Sequence, residues 1–463
     1  MTDTARALGS IEARLAAASG RRRLISATTE VDIDDPTAAV FASRRANDRW
    51  FCWEQPDRDG LAIAALGSAH DVVSRGPERF EDAVAECAAI ARRRDAEEPA
   101  ALPAGVGPLW VGGFAFDPVG GSEAQWASFP PALLTLPELV LHRVASRTHL
   151  TVCALSAPGG DAAEIAAGLA TRVAALRDAA LPLLDPHPTG SVRIASASPP
   201  ERFEGAVAAA VERIRGGELE KVVLAREVTV EAPRAHDPAA LFGALRELFP
   251  SCFCFCCGSP EGAFVGASPE LLVRRSGASA ATVGLAGSTR RSADPSVDDH
   301  LGEQLRQSAK DREEHEIVVR RIERALRPYS VWVQGAPEPD LIKVANIQHL
   351  GTPIHAQLAE PRSAVELAGK LHPTPAVGGE PRSRALDAIA ELETLDRGWY
   401  AGPVGWMDSA EDGEFCVALR SALLRDRTAH LFAGAGIVAD SRPDAELAET
   451  ELKLDALLPL IAG

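Results

Sequence analysis

The distribution of apolar and polar positions divides the chain into segments with helix and strand periods, most clearly after residue 200. Apolar residues recur every three to four positions over 202–215, which predicts an amphipathic helix, and two glycines at 216–217 predict its end. The stretch 221–231 starts with apolar residues on both faces, which predicts a buried strand. Further strands are predicted near 252–265, 271–275, 281–286 and 414–420, and long helices at 298–326 and 444–458.

The first 200 residues show a looser mixture of helical patterns and short strands. We predict helices around 80–93 and over 161–180, and a buried apolar segment at 109–116. A stretch rich in Pro, Gly and Ser over 181–200 is typical of a linker or interdomain loop. Because strands and helices do not alternate regularly, we predict a mixed α/β (α+β) fold with large antiparallel sheets.

Composition and charge exclude several classes of protein. The 463 residues are 46% hydrophobic and 24% charged, an ordinary globular composition that excludes disorder as the main state. The net charge of -17 argues against a nucleic-acid partner, because phosphate binding needs clustered Lys and Arg. No apolar run is long enough for a membrane span, and charged residues interrupt any signal-like segment near the N-terminus. With only eight cysteines, these features predict a cytoplasmic protein without a membrane partner.

Lysine is rare in this chain, so its positions draw attention to particular segments. Only five of the 48 basic residues are lysines, and the first is Lys221, at the start of the predicted buried strand. Desolvation there favours the neutral amine, which is the form that acts as a general base. The alternative is a lysine whose amine extends from the strand end to water.

Glu270 lies between two apolar strand fragments, within the segment 266–273. Burial at such a place raises the pKa of a carboxyl group and suits it to donating a proton as a general acid. The alternative is a glutamate in a turn that faces water.

Two predicted helices carry pairs of carboxylates at helical spacing. Asp311 and Glu314 are three residues apart and share a face. Glu446 and Glu449 repeat the spacing, with Lys453 four residues further on. If both pairs face one cleft, their hard oxygens suit Mg²⁺, whereas neither helix has the Glu-x-x-His pair of di-iron bundles. The alternative is two solvated acidic stripes on an acidic protein.

A glycine-rich segment precedes the last long helix. Residues 433–439 (AGAGIVA) fit the dinucleotide-binding pattern, but four further residues separate them from the helix, which argues against a nicotinamide site. We prefer a backbone nest in which the N–H groups of Gly434, Ala435 and Gly436 hold a carboxylate. Arg420, at the end of a predicted strand, is a candidate bidentate partner for the same carboxylate. Ser441 is predicted to cap the helix that follows.

Four cysteines lie close together, at positions 252, 254, 256 and 257. Zinc sites are typically built from C-x₂-C pairs, which this spacing lacks. We therefore expect these cysteines to be buried as small hydrophobic residues.

Nine motifs, in order along the chain, resemble those of the chorismate-utilising enzymes. They are 221–226 (KVVLAR), 268–270 (SPE), 285–290 (LAGSTR), 310–315 (KDREEH), 348–350 (QHL), 371–379 (LHPTPAVGG), 397–402 (RGWYAG), 434–437 (GAGI) and 446–453 (ELAETELK). They cover 202–458 densely, while the N-terminal part matches mainly at 111–117 (VGGFAFD). Within the family, the chain is most similar to isochorismate synthases of menaquinone and siderophore pathways.

The resemblance implies one large α/β unit, in which two large sheets pack face to face, helices surround them and the active site lies between them. Residues 1–195 would form a variable N-terminal part of this unit, and 196–463 the chorismate-binding catalytic region. The resemblance also implies chorismate as the small-molecule substrate, Mg²⁺ as the cofactor, and a monomer or homodimer.

The resemblance further implies roles for individual residues. Lys221 corresponds to the base that activates water for attack at C2 of chorismate, and Glu270 to the acid that protonates the departing C4 hydroxyl. Glu314 and Glu449 correspond to the Mg²⁺ ligands. Asp311 and Glu446 correspond to acidic residues next to these ligands. The groups that hold or surround the substrate correspond to Ser288, His349, Tyr400, Arg420, Gly434, Ala435, Gly436 and Lys453.

Other enzymes of the family are expected to differ from this chain at particular positions. An aminodeoxychorismate synthase would have a lysine in place of Ala286, and an anthranilate synthase a glutamine in place of Lys221. A salicylate synthase, which shares the base, the acid and the metal residues, remains the main alternative, and a catalytically silent chorismate-binding subunit is a further one. The segment 373–379 resembles the isochorismate synthase version, so we expect the reaction to stop at isochorismate.

Overall fold

A computed structural model of the protein describes residues 2–18, 21–99, 102–185, 190–344 and 347–463. Its helices are α1 (Thr2–Ala17), α2 (Pro36–Ser43), α3 (Arg79–Ala91), α4 (Ala162–Ala174), α5 (Pro200–Arg215), α6 (Pro238–Leu248), α7 (Pro295–Gln307), α8 (Ala309–Leu326), α9 (Ala364–Leu371), α10 (Arg382–Leu392), α11 (Pro443–Leu454) and α12 (Leu458–Ala462).

Its strands are β1 (Arg23–Val31), β2 (Trp50–Gln55), β3 (Leu61–Leu66), β4 (His70–Ser74), β5 (Arg94–Glu97), β6 (Leu109–Phe114), β7 (Ala132–Leu136), β8 (Leu139–Val144), β9 (Arg147–Ser156), β10 (Arg193–Ser196), β11 (Lys221–Glu231), β12 (Phe253–Ser259), β13 (Gly262–Ser268), β14 (Leu271–Ser276), β15 (Ser279–Arg290), β16 (Ser330–Gly335), β17 (Asp340–Lys343), β18 (Ile347–Leu358), β19 (Gly379–Glu380), β20 (Pro403–Asp408), β21 (Gly413–Val417), β22 (Ser421–Arg425) and β23 (Thr428–Ile437).

These strands form two large, mostly antiparallel sheets. The first has the order β10-β11-β23-β22-β13-β12-β2-β3-β8-β9-β1-β5, with β19 beside β11. The second has the order β16-β18-β15-β14-β21-β20-β6-β7-β4, with β17 beside β18. The predicted α/β fold with two large sheets and surrounding helices is therefore confirmed. Both sheets combine strands from before and after residue 195, while the proposed boundary at that residue stays a prediction.

One apolar core joins the two sheets. Phe51, Trp53 and Phe264 of the first sheet belong to the same buried cluster as Phe114 and Phe415 of the second. A second cluster lies where α1, α2, α4 and α6 cover the first sheet. Burial of this much aromatic and aliphatic surface is the main force that holds the sheets together.

Two helices bring the acidic segments toward the same region from different sheets. Helix α8 packs on β15 and β18 of the second sheet, and its residues Val318 and Ile322 are buried against them. Helix α11 packs on β23 of the first sheet and on α5. Strand β11 pairs with β23 along most of its length, so Lys221 lies at the start of a strand fixed on both edges.

The long helix predicted over 298–326 is instead two helices, and the prediction of one helix is wrong. The helical conformation is interrupted at Ser308, whose ψ of 116° is extended. The Ser308 hydroxyl accepts a hydrogen bond from the N–H of Asp311. Ser308 thus ends α7 and caps α8. No Gly or Pro lies between Gly302 and Pro328, so no helix-breaking residue marks the interruption in the sequence.

Other boundaries also differ from the sequence predictions. The helix predicted over 161–180 ends at Ala174, and the one predicted over 444–458 ends at Leu454. The region predicted as a strand near 252–265 is the hairpin of β12 and β13. The predicted linker over 181–200 contains strand β10, which pairs with β11, and its residues 186–189 lie outside the described residues.

Several local expectations have clear outcomes. All eight cysteines are free and buried, as expected for small hydrophobic residues. Arg442, rather than Ser441, occupies the N-cap of α11, and the Ser441 hydroxyl instead accepts a hydrogen bond from the N–H of Val438. No helix in the described ranges is both long and apolar enough to cross a bilayer.

Candidate active site

Lys221 is the most deeply buried charged side chain of the predicted site. Its side chain is 0% exposed, and its Nζ lies 2.8 Å from Oε1 of Glu314 on α8. Gly436 lies opposite Val223 in the neighbouring strand. A Cβ at Gly436 would lie 2.4 Å from Oε1 of Glu314 and 3.0 Å from Cε of Lys221. A side chain at this position would therefore displace the ion pair.

Glu270 lies just after β13 and is 2% exposed. Its backbone N–H donates to the Ser268 hydroxyl over 3.2 Å, and its carboxyl accepts a hydrogen bond from the Thr374 hydroxyl over 3.5 Å. Burial raises the pKa of the Glu270 carboxyl to about 8, although Lys221 and the Thr374 hydroxyl oppose this shift. The group is therefore largely protonated at neutral pH, which is the state that a general acid needs.

Residues near the start of α8 bond to one carboxylate of each acidic pair. Asp311 accepts a hydrogen bond from the Ser308 hydroxyl, and Lys310 donates to Oε1 of Glu446 over 2.8 Å. Burial, reinforced by the negative charge of Glu314, raises the pKa of Asp311. Burial and the Glu449 carboxylate likewise raise the pKa of the Glu446 carboxyl, against the influence of Lys310.

Glu449 is in a different position, because a lysine on its own helix neutralises it. Lys453 lies 2.7 Å from Oε1 of Glu449 and donates to the carbonyl of Gly434 over 2.8 Å. The Ser288 hydroxyl, on β15, lies 3.4 Å from the same carboxylate oxygen. Burial alone would raise the pKa of Glu449, but Lys453 and Lys310 hold it below its usual range.

The four predicted metal-binding carboxylates lie in one region and influence one another electrostatically, yet they bond to neighbouring residues of the chain. Glu314, Glu446 and Glu449 each pair with a lysine, as described above. Within the described ranges, no three His, Cys, Asp or Glu side chains lie close enough together to hold a metal ion as they stand. Three of the five lysines of the chain thus serve as counter-ions of this cluster.

His349 and Arg420 form a contact across the two sheets. Nδ1 of His349 lies 3.2 Å from the carbonyl of Gly287, and Nε2 lies 3.4 Å from Nη2 of Arg420. Because a carbonyl only accepts, Nδ1 carries the proton and Nε2 accepts from the guanidinium. Burial and the Arg420 charge hold the pKa of His349 well below its usual range, so the ring is neutral.

Tyr400 is buried beside the glycine-rich strand. Its ring stacks on Phe432 with 5.2 Å between centroids, and a Cβ at Gly434 would lie 3.2 Å from its hydroxyl oxygen. Burial raises the pKa of the Tyr400 hydroxyl to about 12, so the group remains a hydrogen-bond donor. Gly434 therefore leaves room for this hydroxyl.

The predicted backbone nest at 434–436 is wrong. Gly434, Ala435 and Gly436 lie within β23 and pair in antiparallel register with 223–225 of β11. Neither glycine has the positive φ that a nest requires. The dinucleotide-binding interpretation also fails, because this segment forms a strand rather than a turn into a helix. Arg420, expected at the end of a strand, lies beyond β21 in a left-handed conformation with φ of 47°.

Sequence reasoning had not singled out Thr374 and Ser268, which contact Glu270. Both side chains are buried, at 3% and 0% exposure. Each lies inside a motif that had been noted, yet the motifs give no sign of which member reaches the carboxyl group. Their roles emerge only from the long-range contact between the segment 372–380 and β13.

Comparisons with known proteins identify the family of this chain. The family described as chorismate binding enzyme matches residues 10–462. The chain belongs to the chorismate-binding enzyme family. The salicylate biosynthesis isochorismate synthase of Pseudomonas aeruginosa is 39% identical over 443 residues, which cover 96% of this chain and 91% of that protein. The isochorismate synthase MenF of Bacillus subtilis is 34% identical over 447 residues, which cover 95% and 94%.

Solved structures of the family share the same architecture. The menaquinone-specific isochorismate synthase MenF from Escherichia coli superposes with a TM-score of 0.81 at 28% identity, covering 99% of this chain and 100% of that chain. Anthranilate synthase component I from Streptococcus pneumoniae TIGR4 gives a TM-score of 0.67 at 21% identity and shares the fold alone.

Proposed function

We propose that this family member is an isochorismate synthase, an isomerase that converts chorismate reversibly to isochorismate. The observation that supports this most is the presence, in one site, of a buried lysine and a buried carboxyl group whose pKa is raised to about 8. Lys221 is 0% exposed, and it lies close enough to Glu270 to lower the pKa that burial raises. The relatives that align over most of the chain bear the name isochorismate synthase.

The reaction is an exchange of hydroxyl position that needs one base and one acid. Water adds at C2 while Lys221 takes its proton, for which Lys221 must first give up its ion pair with Glu314 and its own proton. The ring double bond shifts, and the C4 hydroxyl leaves as water with a proton from Glu270. One water enters and one leaves, so the reaction requires no redox cofactor. The two proton transfers are of the kind to which positioned side chains contribute about 10²–10⁴-fold each.

The substrate is a dianion and the protein has a net charge of -17, so binding needs local positive charge. We propose that Arg420 and Lys453 supply it for the two carboxylates, with the Tyr400 hydroxyl as a further donor. Ser288 and His349 would line the same space. Among the described residues, 434–436 of β23 lie beyond its pairing with β22, so this edge would offer backbone groups to the same ligand beside the Gly434 carbonyl, which accepts from Lys453.

We further propose that Mg²⁺ binds at the acidic cluster, with Glu314 and Glu449 as ligands and Asp311 and Glu446 beside them. The donor set fits a hard dication, because it consists of carboxylates: besides burial, Glu314 raises the pKa of Asp311, and Glu449 raises that of Glu446. Binding would require the carboxylates to exchange their lysine partners for the metal. When bound, Mg²⁺ would offset the charge of a substrate carboxylate.

The main alternative is a salicylate synthase, which carries isochorismate on to salicylate and pyruvate. We expect isochorismate to accumulate near neutral pH with at most traces of pyruvate. Chromatography of the reaction measures the first, and coupling to lactate dehydrogenase measures the second. Pyruvate release that keeps pace with chorismate loss would identify a salicylate synthase, and no turnover at all would identify a silent binding subunit.

A further inference from the structure

A buried ion pair outside the predicted site residues joins Glu393 to Arg397. The two side chains are only 4% and 3% exposed. Nε of Arg397 donates to Oε2 of Glu393 over 2.9 Å, and Nη2 donates to Oε1. The guanidinium group also lies over the ring of Phe116, 4.2 Å from its centroid. The pair is thus fixed in one geometry and shielded from water.

The pair connects two segments that are far apart in the sequence. Nη2 of Arg397 donates to the carbonyl of Val223 over 2.8 Å, and Nη1 donates to the carbonyl of Val377 over 2.9 Å. Oε1 of Glu393 accepts the N–H of Ala225 over 2.7 Å. The pair therefore holds strand β11 at two residues and the segment 372–380 at one.

The segments held in this way carry the candidate base and contact the candidate acid. Lys221 begins the strand that contains Val223, and Thr374, which donates to Glu270, belongs to the same segment as Val377. The backbone N–H of Tyr400 donates to the carbonyl of Arg397 itself over 2.9 Å. The placement of Lys221 relative to Thr374 therefore depends on the pair.

Arginine is suited to this task for a geometric reason. Its planar guanidinium presents five N–H donors in a rigid fork, whereas lysine is a point charge on a flexible stem. A buried ion pair is a poor stabiliser, since the desolvation of two charges offsets most of their attraction. An apolar pair would fill the space, but it would not hold two backbone carbonyls and one backbone N–H in register.

We propose that Glu393 and Arg397 are positioning residues, which set the spacing between Lys221 and Glu270 without touching the substrate. This inference rests on the proposed function for its kinetic consequences. Its structural part, the link between β11 and the segment 372–380, stands independently of it.

The kinetic test compares Arg397→Lys and Glu393→Gln with the wild type. Because a displacement of about 1 Å can cost about 10² in rate, we expect kcat for chorismate to fall roughly tenfold to a hundredfold. The groups proposed to hold the substrate are elsewhere, so KM should stay within about threefold of the wild-type value. The control is Arg213→Lys in the exposed Arg213–Glu391 pair, which should keep both constants.

A second measurement separates positioning from general loss of stability. In both variants, backbone amides of 221–225 and 372–380 should exchange with deuterium faster, because the N–H of Val223 donates to the carbonyl of Gly378 across this junction. Exchange in β15 and β18 should stay as in the wild type. Glu393→Gln keeps the volume and one acceptor oxygen, so it remains informative if Arg397→Lys does not fold.

Two results would overturn the proposal. One is a folded Arg397→Lys variant with wild-type kcat, and the other is an increase in exchange spread equally over both sheets. If the wild type does not isomerise chorismate, the proposed function fails and the exchange measurement decides alone. Local acceleration then supports the link, and uniform acceleration contradicts it.

Discussion

Glu270 and Glu449 are the same type of residue in the same region of the molecule, but their surroundings differ. Glu270 is 2% exposed, bonds to hydroxyl and backbone groups among the described residues, and has its pKa raised by burial to about 8. Glu449 lies 2.7 Å from Lys453, which keeps the pKa of its carboxyl below the usual range. One carboxyl group holds its proton at neutral pH, and the other has lost it.

This difference shows that the bonding partner of a carboxyl group, rather than its residue type, determines its chemical role. A carboxyl group without a cation bonded to it can donate a proton, while one paired with a lysine remains an anion. The lysines show the same principle. Lys221 is enclosed by strands and faces Glu314, whereas Lys370 lies at the surface beside Glu81.

The largest effects are expected from removing either proton-transfer group. Lys221→Gln and Glu270→Gln should each lower the rate of isochorismate formation by about 10²–10⁴-fold while chorismate binding remains measurable. The matched controls are Lys370→Gln and Glu391→Gln, which change the same residue types at exposed positions. A folded Lys221 or Glu270 variant that keeps more than about a tenth of the wild-type rate would lack the contribution expected of a general acid or base.

The next effect concerns the carboxylates that keep their charge. Turnover should require Mg²⁺, and EDTA should abolish it, because the cluster would otherwise stay paired with lysines. Glu449→Gln should weaken Mg²⁺ binding by roughly 10–100-fold, and Asp311→Asn by less, as measured by calorimetry with Mg²⁺ alone. Full turnover in EDTA would show that the reaction does not require Mg²⁺.

A smaller effect on stability follows from the raised pKa of Glu270. Between pH 4.5 and about 8, the folded protein holds a proton that the unfolded chain has lost. The free energy of unfolding therefore falls as the pH rises through this window. Glu270→Gln cannot titrate, so its melting temperature should exceed that of the wild type by a margin that grows from pH 5 to pH 8. Calorimetry at several pH values measures the margin, and a constant margin would argue against the raised pKa.

Local pattern was sufficient for some elements and insufficient for others. The strand at 221–231 was predicted with its observed bounds, because its apolar run and the two preceding glycines are local signals. The break at Ser308 was missed, since it depends on one side-chain hydrogen bond in a stretch without Gly or Pro. The prediction of a nest at 434–436 was wrong because glycine serves two purposes. It admits a positive φ, and it also leaves space for neighbouring groups to approach the backbone, which is its use in β23.

The candidate site shows the same limit. The acidic pairs and Lys221 were found from spacing and rarity, and Lys453 follows Glu449 by one helical turn. The partners of Lys221 and Glu446 were not found, because they come from different parts of the chain. The pairing of Lys221 with Glu314 depends on how α8 packs across the sheets. The resemblance to a family supplied the roles, which remain predictions, and the fold supplied the contacts.

The comparison between Glu270 and Glu449 depends most directly on whether Glu270 is protonated at neutral pH. Infrared difference spectra of the wild type minus Glu270→Gln isolate the stretching band of this one protonated carboxyl group. We expect the band at pH 7 and its loss with a midpoint near pH 8, the value to which burial raises the pKa of Glu270. A midpoint near the ordinary 4.5 of a glutamate would contradict the account, because Glu270 would then be a second anion beside Glu449.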